Sequence, residues 1–186
     1  MPFAPGEPAP WFKAPTPSNP EYHFDTAAGR YVLLLFLPTE AAARSAALAQ
    51  LLGHQAMFDD QRLAAFVVVR DPRSLPRIAD MPGLRWFLDA DGQVSRLYGA
   101  LGADGREAPF WLALDPTLRV LWQAPIEAAQ PLFTALHNLP PPGEHAGGQV
   151  PAPILVLPRV FEPELCARLV ALHETSESAF SGVMRT

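Results

Sequence analysis

Cysteine is nearly missing from these 186 residues, with Cys166 the only one. A single thiol forms no internal disulfide, which fits a reducing compartment. Lysine is equally scarce: Lys13 stands alone among 14 basic residues, and that scarcity carries no functional inference. Against 19 acidic residues the formal charge is −5 and the pI about 5.5, which argues against a nucleic-acid binder with its basic face. Long apolar runs are absent too. The longest, around Val32 to Leu37, is far too short to span a bilayer. The opening "MPFAPGEPAPWFKAP" has no basic segment leading into an apolar one, as a secretory signal would. A soluble, cytoplasmic protein that engages neither nucleic acid nor membrane is therefore expected. The histidines, His23, His54, His137, His145 and His173, fall in no metal-ligand spacing, so no metal site is expected among them. No Gly-rich phosphate cradle occurs either.

What the chain does have is 49% hydrophobic and only 18% charged residues, the balance of a folded domain with a real core. It also has 22 prolines, crowded into residues 2–20 and again into "LPPPGEHAGGQVPAP" at 139–153. The second cluster shows no apolar periodicity and reads as a linker, stiff and then flexible. This divides the chain into a domain over 1–139, a linker over 140–152 and a short segment over 153–186.

Elements alternate within the first part. "YVLLLFL" reads as a strand buried on both faces, and "TEAAARSAALAQLLG" as a helix with Thr39 as N-cap and Gly53 just past its end. "LAAFVVVR" is a second buried strand, and "DPRSLPRIADMPG" a short helix or turn. "LRWFLDADGQVSRLYGAL" gives a strand, an Asp-Gly turn and a short helix. "PFWLALDPTLRVLWQAP" is a hairpin. "IEAAQPLFTALHNL" closes the series with an apolar face at Leu132, Phe133, Leu136 and Leu139. Buried strands alternating with helices predict an α/β fold with a central mixed sheet flanked by helices. The order βαβ followed by ββα predicts a thioredoxin-like fold. The acidic turns "DADG" at 89–92 and "DPTLR" at 115–119 are explained by turn chemistry, and Asp59 with Asp60 by loop solvation. Trp86 and Trp111 are expected in the core, Trp111 next to the face where chemistry would sit.

Four stretches carry a resemblance. "PGEPAPWFKAPTPSN", "GRYVLLLFLP", "FLDADGQVSRLYGAL" with Tyr98 and Gly99, and "APFWLALDPTLRVLWQ" with Asp115 fall in one order across roughly residues 4–138. Together they resemble the peroxiredoxins. The resemblance implies a Pro-x-x-x-Thr-x-x-Cys turn after the first core strand. Counted from Pro38, its threonine position falls on Ala42 and its peroxidatic cysteine position on Ser45. In a Cys-x-x-Cys register the two sites fall on Ala41 and Arg44. Residues 1–165 contain no cysteine in any register. Peroxide reduction needs a thiolate that a helix N-terminus and a cation stabilise, and a serine cannot cycle through sulfenic acid. The position of the family's cation falls on Pro109, with Arg106 nearby in sequence. Pro109 lies six residues before Asp115, which matches the proline held cis beside the active turn. It implies a groove formed by Pro38, Thr39, Pro109 and Trp111 that receives an extended peptide. An ordinary strand-entry proline is the other reading.

"PILVLPRVFEPELCARLVALHE" resembles the opening of prolyl 4-hydroxylase-type dioxygenases that use Fe(II) and 2-oxoglutarate, and "SGVMRT" resembles the stretch leading into their barrel. The iron and 2-oxoglutarate residues implied by that resemblance would lie beyond Thr186, so none is assigned here and the natural protein is expected to continue. Cys166 reads as a small residue packed with Leu165 and Leu169, or alternatively as a reactive thiol. The leading expectation is a redox-degenerate peroxiredoxin-like domain that serves a dioxygenase as a binding or self-association module. The rival is an active antioxidant oxidoreductase that works through Cys166.

Overall fold

Apolar residues fill both faces of the central strands, and the strands alternate strictly between two cores. In the computed structural model, which describes residues 3–75, 78–148 and 160–175, β3 (Tyr31–Phe36) buries all six of its residues. Val32, Leu34 and Phe36 join one core, and Tyr31, Leu33 and Leu35 join the other. This follows from the two-residue period of a strand, and it requires cover on both sides of the sheet.

The sheet has five strands in the order β5-β4-β3-β6-β7. β4 (Leu63–Val69) and β5 (Leu84–Leu88) run parallel to β3, and the hairpin β6 (Phe110–Leu114) and β7 (Val120–Pro125) runs antiparallel to it. One face is covered by α1 (Ala41–Gly53) and α3 (Ala129–His137). Ala47 and Leu51 of α1, with Leu132, Phe133 and Leu136 of α3, close over Trp111 and the Leu33 row. Each buried leucine or phenylalanine among them contributes about 1.5–3 kcal/mol by area removed from water. The expected apolar stripe of α3 is present, and Leu139 packs at its edge.

The other face is covered by α2 (Gln93–Leu97) and by the proline-rich N-terminal segment. A short ladder of β1 (Lys13–Ala14) with β2 (Tyr22–His23) holds that segment in shape. Phe12 stacks on Phe24 and meets Phe87 and Tyr98 edge-on, while the Tyr98 hydroxyl donates to Pro10 O at 2.7 Å. Burial pushes the Tyr98 phenol above its usual range. Main-chain bonds tie Gly6 and Ala9 to Val120 O and Leu118 O. Fixed φ angles and aromatic anchors thus let a segment without regular structure serve as a layer.

Three local expectations are corrected. The N-cap of α1 is Glu40, not Thr39: its carboxylate accepts from the amides of Ala42 (2.9 Å) and Ala43 (2.6 Å). Asp60 is no solvating loop residue. It adopts φ 62, accepts from Gly83 N at 2.9 Å and pairs with Arg85. No peptide bond among the described residues is cis, so Ala108–Pro109 is trans.

The chain divides into two compact units, Met1–Val150 and Pro151–Thr186. In the second, α4 (Pro163–Thr175) begins on a proline with Glu164 in its first turn, and it buries no residue. The strand expected over "PILVL" and the stretch "SGVMRT" lie outside the described residues. Among the described residues no helix is long and apolar enough to cross a membrane.

Candidate functional site at the end of β3

Strand β3 runs into Leu37 and Pro38, both buried, and the chain then turns into α1. Beside it β4 ends at Val69, and Arg70 follows. The parallel register pairs Phe36 with Val68, so residues just past each strand share one edge of the sheet. Two donors meet there. Thr39 gives its amide (3.1 Å) and its hydroxyl (2.5 Å) to the two carboxylate oxygens of Glu107, and Arg70 pairs with the same carboxylate. The Arg70 and Glu107 side chains are 20% and 26% exposed, so this is a half-buried, charge-assisted cluster and not a loose surface pair. Arg44 adds a bond from its guanidinium to Thr39 O at 2.6 Å.

Of the positions drawn from the peroxiredoxin resemblance, Thr39 joins this cluster and the others sit around it. Ala42 is exposed, and its amide is bonded to Glu40. Ser45 is exposed on α1, and its hydroxyl meets no hydrogen-bonding partner among the described residues, so no base is poised to activate it. The Ala43 and Ala42 amides in turn hold the Glu40 carboxyl below its usual range. Arg106 is not the local cation; it is exposed and pairs with Asp104 at 3.3 Å. Trp111 lies wholly buried on the α1–α3 face, with its indole N–H donating to Ile126 O at 3.1 Å. Pro109 borders two depressions. One is a void of about 10 Å3 shared with Phe36, Leu37, Arg70, Ser95, Ala100 and Glu107. The other, about 220 Å3, is walled by Gly99, Ala108, Phe110, Gln123, Ala124 and Pro125. Gln123, one of its walls, has a buried Oε1 that accepts from no described residue.

Chemically, the donors at the strand end are engaged by the chain's own carboxylates. A thiolate at the start of α1 would draw on the first-turn amides and a cation. Here Glu40 takes the amides, and Glu107 takes Thr39 and Arg70. Sequence reasoning missed both Arg70 and Glu107, because neither falls in a local motif. The signal available was the parallel pairing of β3 with β4, which sets Arg70 beside the residues that follow Phe36.

Among the described residues no group of three His, Cys, Asp or Glu side chains is arranged to hold a metal ion. Cys166, expected to pack with Leu165 and Leu169, is exposed.

No protein-family model matches the chain, and no curated protein does. Solved structures do. The mitochondrial 2-Cys peroxiredoxin of Plasmodium falciparum superposes with TM-score 0.58 at 15% identity, covering 79% of this chain and 99% of that one. Peroxidoxin BcpB of Mycobacterium tuberculosis gives 0.56 at 16% identity, over 71% and 94%. Thioredoxin peroxidase I of Plasmodium yoelii gives 0.55 at 18% identity, over 83% and 99%. Identities this low show the fold alone, and that fold is the peroxiredoxin-type, thioredoxin-like α/β fold.

Proposed function

We propose that residues 1–139 form a redox-silent, peroxiredoxin-like module for binding or self-association, linked to the opening of a 2-oxoglutarate- and Fe(II)-dependent dioxygenase domain. One observation carries the first half. At the strand end, where the resemblance counts Ser45 as the sulfur's position, Glu40 and Glu107 engage the donors that would stabilise an anion. A site rebuilt with two carboxylates favours holding something over reducing peroxide. The dioxygenase half rests on the sequence of residues 153–186 and on the helix α4, which starts on Pro163 with Glu164 behind it. Fe(II) and 2-oxoglutarate belong to that neighbouring domain, and no residue of this chain is assigned to them. A cytoplasmic location is part of the same reading.

The rival reading, peroxide reduction through Cys166, draws on the exposure of that thiol. Peroxide consumption by the full chain, with a thiol reductant supplied, separates the two. The proposal expects background rates for the wild type and for Cys166→Ser alike. Saturable turnover that Cys166→Ser abolishes would establish the rival, and turnover that survives it would refute redox silence outright.

A further inference from the structure

We propose that the end of β3 is a carboxylate-binding site which the chain closes with its own Glu107. The inference rests on the binding reading above and names its ligand chemistry. The donors are built into rigid elements: Thr39 follows the central strand β3, Arg70 follows β4, and Leu37 N bonds to Val68 O at 3.1 Å between them. Amide, hydroxyl and guanidinium converge on one pair of oxygens, the geometry that recognises a carboxylate.

The occupant is built differently. Glu107 closes an exposed turn of Gly102, Asp104, Gly105 (φ 79) and Arg106, held by Gly102 N to Arg106 O at 2.8 Å. Its backbone is pinned by a bridge to Leu101. Its side chain leaves by rotation alone, and at 26% exposure it has a direct way to solvent. An external carboxylate then takes the Thr39 and Arg70 donors in its place.

Across Pro109 lies the 220 Å3 depression, walled by Gly99, Ala108, Phe110 and Gln123. A ligand with chain behind its carboxylate would extend from the donors into this depression, as the free C-terminus of an extended peptide does. A small organic acid reaches only the Thr39 and Arg70 donors.

The test follows the Thr39 amide resonance of the full chain during titration with acetate. An intramolecular ligand competes at an effective concentration in about the millimolar range. Glu107→Ala should therefore bind acetate roughly tenfold or more tightly than wild type. Glu107→Gln, which keeps the shape and loses the charge, should fall between them. Adding Arg70→Ala to Glu107→Ala should abolish saturation, and removing both partners of the pair keeps that variant foldable. An N-acetylated tripeptide with a free C-terminus is compared with its amide. Tighter binding of the free acid than of acetate assigns a peptide end, and equal binding assigns a small acid. Equal binding of acid and amide, no saturation in either Glu107 variant, or saturation independent of Arg70 would overturn the proposal. None of these outcomes alters the peroxide rates that test redox silence.

Discussion

Asp60 shows how a single carboxylate orders the edge of a sheet. Its left-handed backbone turns the chain into β4, and its oxygens tie Gly83 N and Arg85 at the start of β5, with Arg30 at 3.6 Å. The Arg85 guanidinium beside it holds its carboxyl below the ordinary 3.8. A depressed folded value means that this stability is full above the unfolded value and is lost as pH falls through the folded one. Asp60→Asn should therefore cost about 1–3 kcal/mol near neutrality. The gap in urea midpoint between the two proteins should narrow as pH falls below 3.8 and through the folded value; a gap that stays undiminished would contradict the assignment. Gly83 is constrained from the same side. Its φ is 75, and a Cβ would come within 2.3 Å of the Phe58 carbonyl carbon and 2.6 Å of Asp59 N. Gly83→Ala should lower stability by about 1–3 kcal/mol from the backbone conformation alone, read from thermal unfolding.

At the scale of elements, the two-core sheet follows from runs such as "YVLLLFL" and "LAAFVVVR", which admit no polar face. Phe133 shows what that burial is worth. It is 2% exposed, stacks on His54 and meets Trp111 edge-on. Phe133→Ala should cost about 3–5 kcal/mol in a denaturant titration; a loss below 1 kcal/mol would mean that α3 does not seal this face. The three parallel strands, the hairpin and the three helices of the first unit were legible because apolar period and turn residues are local signals, whereas the two-residue strands β1 and β2 were not read. The cap of α1 was not. Thr39 is a good N-cap by type, but its hydroxyl is drawn to Glu107, 68 residues on, and the neighbouring Glu40 caps instead. Pro109 is trans, where a family pattern implied cis. The resemblance put the cation's position on Pro109 with Arg106 near it in sequence, whereas the arginine that meets Glu107 beside Thr39 is Arg70, brought there by strand pairing. Long-range partners decide these details, and spacing along the chain does not encode them.

At the scale of the whole molecule, both cores among the described residues are built from residues between Phe3 and Leu139, all of them in the first unit. A fragment ending at Gly148 should unfold cooperatively at nearly the temperature of the full chain, within a few degrees by circular dichroism. A large loss would mean that the second unit supports the first. The central claim is that the site is silent by its electrostatics as well as by its missing sulfur. Installing the sulfur tests it most directly: in the Ser45→Cys, Cys166→Ser chain, the thiol pKa at position 45 is read from the pH dependence of alkylation. With Glu40 on the first-turn amides and Glu107 on Arg70, the value should stay near the ordinary ~8.5 of a free thiol. A value pulled below about 7, with rapid peroxide reduction, would show that the turn still activates a thiolate and would contradict the account.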